Sequence, residues 1–394
     1  MYVLTELKKG VYWVGAIDWN IRNFHGYITH RGSTYNAYLI VDEKIALVDT
    51  VKEHFFDEML SRIKKIVDPS KIDYIISNHT EPDHSGSLTK MMKIAQNAEV
   101  IASDFGVKGL RKYYDADLKV TSVKEKPQIN LGSKTLVFAP IPMVHWPDSM
   151  VTYIPEDKLL LSNDAFGQHL ASKGRFDDEV DSAVLMQEAE TYYANIVMPL
   201  WMSVGRAFKA LEGLDIDMIA PSHGIIWRGN PGLILETYQK WGSGYSTEKA
   251  VVVYDTMWGS TEKVANAITE GLMEEGVDVK VFRLRDTHNS DVIAQVLEAK
   301  AILVGSPTLN NGLFPTVASF LTYMKGLKPQ KKIGSAFGSY GWGGGAKRIA
   351  ETELKAASIE LIENDLDYNY RPTEEELEKA VEFGKAIAQR IKSE

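Results

Sequence analysis

The chain contains no cysteine. That excludes disulfides, thiolate-bound iron–sulfur clusters and thiolate zinc sites, so any metal must be held by His, Asp and Glu. It also excludes a thiol relay, so a redox step inside the chain needs an organic cofactor or a metal without sulfur ligands. Long apolar runs are lacking as well. No stretch approaches the ~20 apolar residues of a membrane span, and residues 1–10, with Glu6, Lys8 and Lys9, hold no apolar secretion segment. Basic excess is absent. Forty-four Lys and Arg against 53 Asp and Glu leave a net charge of −9, which disfavours nucleic acid and anionic membranes as partners. A cytoplasmic protein is expected.

What is present is ordinary globular material: 394 residues, 44% hydrophobic and 25% charged, enough for two or three cores. Short strands with alternating apolar positions are predicted at 11–14, 37–41, 44–48, 74–77, 100–102, 135–139, 150–154 and 158–161. Helices are predicted at 54–66, 184–196 and 203–211. The mixture implies a layered α/β sandwich. Residues 242–248, Gly-Ser-Gly-Tyr-Ser-Thr-Glu, have the composition of a linker.

After the linker the rhythm changes. Strands at 250–254, 277–284, 301–305, 332–337 and 359–363 alternate with helices at 262–276, 290–297, 315–324 and 346–357. A last helix opens at the capping box Thr373-x-x-Glu376. That pattern predicts a doubly wound parallel sheet. Two domains are therefore expected, 1–248 and 249–394.

The densest chemistry is His79-Thr80-Glu81-Pro82-Asp83-His84, directly after the strand at 74–77. Four candidate ligands in six residues cannot all face one way on a regular helix or strand, so a loop wrapped around metal is expected, with Pro82 supporting the loop. Three more candidates follow apolar strands: His145, Asp164 and His223. Taken singly, each has a bland explanation as a core or turn residue. Together with the cluster they make a metal site the better reading.

In the second half, the loop Thr256-Met257-Trp258-Gly259-Ser260-Thr261 joins a strand to a helix and offers hydroxyls and backbone N–H groups to an anion. It lacks the Gly-Lys-Ser/Thr of a nucleotide-triphosphate loop, so a monophosphate suits it better. The third strand ends in Pro307-Thr308-Leu309-Asn310-Asn311-Gly312 and the fourth in Ser339-Tyr340-Gly341-Trp342-Gly343. Asn side chains and free amides can bond the edge of a flavin, and Trp258, Tyr340 or Trp342 can stack on its face. Gly341-x-Gly343-x-x-Ala346 also fits a dinucleotide fingerprint, but it follows the fourth strand rather than opening the domain.

These motifs resemble two known folds. The second half is similar to flavodoxin, with FMN as ligand. The first is similar to the metallo-β-lactamase fold, an αββα sandwich whose signature is His-x-His-x-Asp-His followed by His, Asp and His. Glu81 stands where that signature has its second His, a departure that resembles the flavodiiron proteins across essentially the whole chain. The resemblance implies one iron on His79, Glu81 and His145, a second on Asp83, His84 and His223, and Asp164 bridging both. It also implies His25 near the open face, with Tyr193 and His169 as further pocket residues.

Two imidazoles and one carboxylate per metal suit non-haem iron with open positions, although zinc and manganese also accept these donors. By resemblance the chain is an oxidoreductase reducing dioxygen to water or nitric oxide to nitrous oxide, fed by a rubredoxin-type donor. A head-to-tail homodimer, or a dimer of dimers, is implied too. The competing expectations are a metal-dependent hydrolase with a regulatory flavodoxin domain, and an electron carrier whose first domain is only a scaffold.

Overall fold

The computed structural model describes residues 4–393. It divides into two compact units: residues 1–24, 29–192 and 200–239 form the first, and 25–28, 193–199 and 240–394 the second.

The first unit is built on two sheets. A seven-stranded sheet runs in the order Thr5–Lys8, Val11–Trp13, Tyr38–Val41, Ile45–Val48, Tyr74–Ser77, Glu99–Ala102 and Val120–Ser122. A five-stranded sheet runs Gln128–Asn130, Thr135–Pro140, Met150–Ile154, Leu159–Asn163 and Met218–Pro221. Inward residues of both, among them Val11, Tyr38, Val48, Ile76, Ile101, Leu136, Met150, Leu161 and Ala220, share one buried cluster. Leu159–Asn163 and Met218–Pro221 pair in parallel, so Asp164 and His223 leave the sheet side by side. Helices expected at 54–66 and 203–211 are observed as Phe56–Ile63 and Trp201–Ala210. The one expected at 184–196 divides into an α-helix, Ser182–Tyr192, and a π-helical turn, Tyr193–Val197.

The second unit carries a parallel sheet ordered Asp278–Arg283, Thr247–Tyr254, Ala299–Pro307, Ile333–Tyr340 and Glu360–Leu361. This is the flavodoxin-type order, with the first strand flanked by the second and third. The strand expected at 359–363 is only two residues long; a further piece, Asp367–Asn369, also pairs with the fourth strand. The last helix, Glu374–Ser393, begins at a reciprocal cap: Thr373 N donates to Glu376 Oε2 at 2.8 Å and Glu376 N to Thr373 Oγ1 at 3.3 Å.

One expectation is narrowed and one corrected. The linker expected at 242–248 shortens to 243–246, because the helix Pro231–Gly242 runs up to it and the first strand of the sheet begins at Thr247. Residues 79–84 are not all loop. Pro82–Ser85 is a helical turn, since a proline at the first helical position needs no N–H partner and constrains only the residue before it.

Candidate metal and flavin sites

Seven side chains meet beyond the ends of the first unit's strands. His79, Glu81, His145 and Asp164 form one group and Asp83, His84 and His223 another, the donor atoms of each lying within 4.8 Å of one another. Asp164 stands between them. Its Oδ2 is 3.6 Å from His79 Nε2 and 3.3 Å from His145 Nε2, whereas its Oδ1 is 3.0 Å from His84 Nε2 and 3.5 Å from His223 Nε2. Glu81 Oε2 is 3.3 Å from both His79 and His145 Nε2. Asp83 reaches His84 at 3.4 Å and His223 at 3.2 Å. All four imidazoles turn Nε2 inward.

These residues fit a pair of cations. Both oxygens of Asp83, both of Asp164 and both ring nitrogens of His84 are buried without a hydrogen bond. Leaving ions so placed costs several kcal/mol each, and divalent cations supply the missing partners. The electrostatics agree. Burial works to lower the His79 pKa, but hydrogen bonds to Asp148 and Glu81 outweigh it and push it up to about 10. Against the same burial, Asp83 and Asp164 push His84 to about 10, and Asp164 and Glu81 push His145 to about 10. Asp164, despite burial that would raise it, is held well below the usual carboxylate range by His84 and His145. Metal binding would take the place of these imidazole protons and release them.

Several supporting residues escape a reading of the sequence. Asp148 Oδ2 accepts from His79 Nδ1 at 2.9 Å and from Thr80 N at 2.7 Å. His223 Nδ1 lies 2.7 Å from the Thr34 carbonyl, which can only accept, so Nδ1 carries the proton and Nε2 is free to ligate. Asn36 holds the His223 loop by donating to the Pro221 and Gly224 carbonyls at 2.8 and 3.1 Å. Gly224, at φ 78, could take no Cβ, which would fall 1.5 Å from Gln168 Oε1. The Trp146 ring lies 5.0 Å from His79 and 6.1 Å from His145. His145 is the most exposed of the seven, at 16% of its side chain.

The three expected pocket residues are divided between the two units. His169 packs in the first unit, its ring 4.7 Å from His223 and 4.6 Å from Phe24, with Nδ1 2.6 Å from Ser33 Oγ. The tyrosine beside it is Tyr192, 5.2 Å from His169 and 6.2 Å from His223. Helical spacing alone does not choose between neighbouring tyrosines. Tyr193 belongs to the second unit, where its ring lies 5.0 Å from Trp241. His25 also groups with the second unit, exposed and at φ 50.

The second unit holds a cavity of about 510 Å³ at the carboxyl ends of its strands, within the usual range for a small cofactor. Met257, Trp258, Ser260, Pro307, Thr308, Ser339, Tyr340 and Gly341 line it, as expected; Lys263, Tyr370 and Arg371 line it unforeseen. The other candidates shape its loops. Thr256 Oγ1 accepts from Gly259 N at 3.0 Å, and Gly259 caps the helix Ser260–Glu274 at φ 85. Thr261 Oγ1 and Ser339 Oγ are 2.8 Å apart. Leu309 and Gly312 exchange backbone bonds across Asn310 and Asn311, both left-handed, and a Cβ on Gly343 would stand 3.7 Å from Asn311 Oδ1. Trp258 and Trp342 are 94% and 96% exposed, indole faces that a stacked ring would cover. Asp255, fully buried, braces the first loop from beneath by accepting from Thr256 N, Arg285 and Thr316.

Residues 34–224 match the family described as "ODP family beta lactamase", and residues 252–384 match "Flavodoxin". The chain is 50% identical to the "Nitric oxide reductase" of Moorella thermoacetica over 98% of each chain. Among solved structures, it is 38% identical to the rubredoxin oxygen:oxidoreductase of Desulfovibrio gigas, with a TM-score of 0.97 over 99% of each chain. It is 34% identical to the flavodiiron protein of Giardia intestinalis, with a TM-score of 0.95 over 100% of this chain and 98% of that one.

Proposed function

This chain belongs to the flavodiiron proteins, and we propose how its residues divide the work of that family. It is an oxidoreductase that reduces dioxygen or nitric oxide with FMN and a non-haem diiron centre. When bound, FMN would supply one- and two-electron chemistry and the iron pair would supply a site for reduction of the gas.

We assign one iron to His79, Glu81 and His145, the other to Asp83, His84 and His223, and the bridge to Asp164. The observation that carries this reading is Asp164 itself, which presents a separate oxygen to each group of imidazoles. Glu81 favours iron over zinc hydrolysis, since an added carboxylate offsets the charge of an oxidised metal but weakens its acidity toward water. Asp148 and the Thr34 carbonyl fix the tautomers of His79 and His223 from outside. His145, at the rim, marks the side from which a small gas approaches. His169 steadies the ring of His223. His25 and Tyr193 are assigned to the substrate pocket on the family resemblance alone.

The division into a diiron domain, 1–248, and an FMN domain, 249–394, is proposed on the same ground. So are a rubredoxin-type donor, a head-to-tail homodimer and a cytoplasmic location. Among the described residues no helix is long and apolar enough to cross a membrane.

The test is to purify the chain, measure its metal and flavin, and mix the reduced protein separately with each gas. About two irons and one FMN per chain are expected, with oxidation by at least one gas. Full zinc occupancy, or no oxidation by either, overturns the reading. Glu81→His is expected to shift selectivity toward zinc and to lower iron-dependent turnover, read by metal analysis and gas consumption; unchanged values would remove the role given to Glu81.

A further inference from the structure

Two cations line the flavin cavity, Lys263 and Arg371, and no acidic side chain lines it. Among the described residues neither is paired with a carboxylate, in a chain whose net charge is −9. They come from different places. Lys263 is in the first turn of the helix Ser260–Glu274, its N–H bonded to the Gly259 carbonyl. Side chains on a helix lean toward its N-terminus, so Lys263 leans toward the phosphate-type loop. Arg371 follows Tyr370, whose N–H donates to the Tyr340 carbonyl at 2.7 Å and whose ring would stand 3.7 Å from a Cβ on Gly341. Beyond it come Pro372 and the Thr373–Glu376 cap. Arg371 thus lines the cavity between two anchored neighbours, beside the fourth-strand loop that carries the stacking candidates Tyr340 and Trp342.

Resting on the FMN reading above, we propose that Arg371 serves the flavin ring and raises its reduction potential, while Lys263 serves the phosphate. Taking up two electrons and one proton, the oxidised ring becomes an anionic hydroquinone. The phosphate keeps its charge throughout. A fixed cation beside the ring therefore favours the reduced form over the oxidised one, whereas a cation at the phosphate strengthens both equally.

The test compares the FMN-loaded chain with Arg371→Gln, Lys263→Gln and Arg371→Lys by spectroelectrochemical titration, and measures FMN and riboflavin binding to the flavin-free forms. Arg371→Gln is expected to weaken reduced relative to oxidised FMN by roughly tenfold, which for a two-electron couple lowers the midpoint by about 30 mV. The shift should shrink as salt is added, and Arg371→Lys should restore most of it. Lys263→Gln should weaken FMN but not riboflavin, at unchanged midpoint. An Arg371→Gln midpoint equal to wild type, with or without weaker FMN binding, overturns the assignment of Arg371. A Lys263→Gln variant that shifts the midpoint overturns the division of labour. A wild-type chain that takes up no FMN fails at an earlier step and sinks the cofactor reading itself, and this inference with it.

Discussion

Asp148 lies outside the seven residues assigned as ligands and yet governs one of them, because its carboxylate holds His79 Nδ1 and leaves Nε2 turned toward the cluster. Outer partners of this kind typically contribute 10–100-fold in metal affinity. Asp148→Asn keeps the shape and removes the charge, so metal release to a chelator should speed up by about that factor; release at the wild-type rate would make Asp148 a bystander. Its role was not legible because the contact spans 69 residues and Pro147-Asp148-Ser149 reads as an ordinary turn. The clustering of the seven donors was legible for the opposite reason, since donor-rich residues at strand ends stand out even when their partners are far away. A second residue-scale prediction concerns Lys332. Burial, with Lys300 adding to it, pulls its pKa down to about 7, and its ammonium donates to the Leu297 carbonyl at 2.8 Å. Between about pH 7 and the unfolded value of 10.5 the unfolded chain holds the extra proton, so stability of the second unit should rise with pH over that window. Lys332→Met should flatten the slope, as measured by denaturation with FMN release as the signal.

Elements were legible where local pattern and tertiary role agreed. The strands at 150–154 and 250–254 are buried end to end and that at 74–77 all but its first residue, and short runs rich in β-branched residues can serve little else. Helices Leu88–Ile94 and Asp104–Tyr113 were not read from the sequence. The first is too short to show a period. The second contains Gly106 and Gly109, which argue against helix locally. Their reason is tertiary: a Cβ on Gly109 would come 2.9 Å from Thr80 Oγ1, so the helix lies directly on the ligand loop. The same physics governs the helices Ser260–Glu274 and Glu374–Ser393, whose backbones touch at Gly271 and Gly384. A Cβ on Gly271 would fall 2.0 Å from the Val381 carbonyl, and one on Gly384 2.3 Å from that of Ile268. In an open helix Gly→Ala gains up to ~1 kcal/mol. Here overpacking wins, and Gly271→Ala should cost about 1–3 kcal/mol in urea denaturation of the second unit. A stabilised variant would mean the two helices separate more easily than their packing implies.

At the scale of the whole molecule, the chain is two cores with one kind of ligand each, and no thiol to link them chemically. Among the described residues, the donor groups that could hold a metal lie only in the first unit, and the cavity read as the flavin's is lined only by the second. A ligand that binds a folded core and not the unfolded chain stabilises that core by RT ln(1 + [L]/Kd), about 2.7 kcal/mol at a hundredfold excess over Kd. Calorimetry should therefore answer each ligand separately. Chelation should lower the transition that carries the sandwich, with FMN still bound and its absorbance unchanged at that temperature. Flavin removal should lower the transition that carries the parallel sheet while the metal content stays constant. Acid should act like the chelator. Protons return to His79, His84 and His145 in competition with the metals, so metal affinity must fall as pH falls. A chelator that displaced FMN as readily as iron would contradict the separation of sites on which the assignment of residues rests.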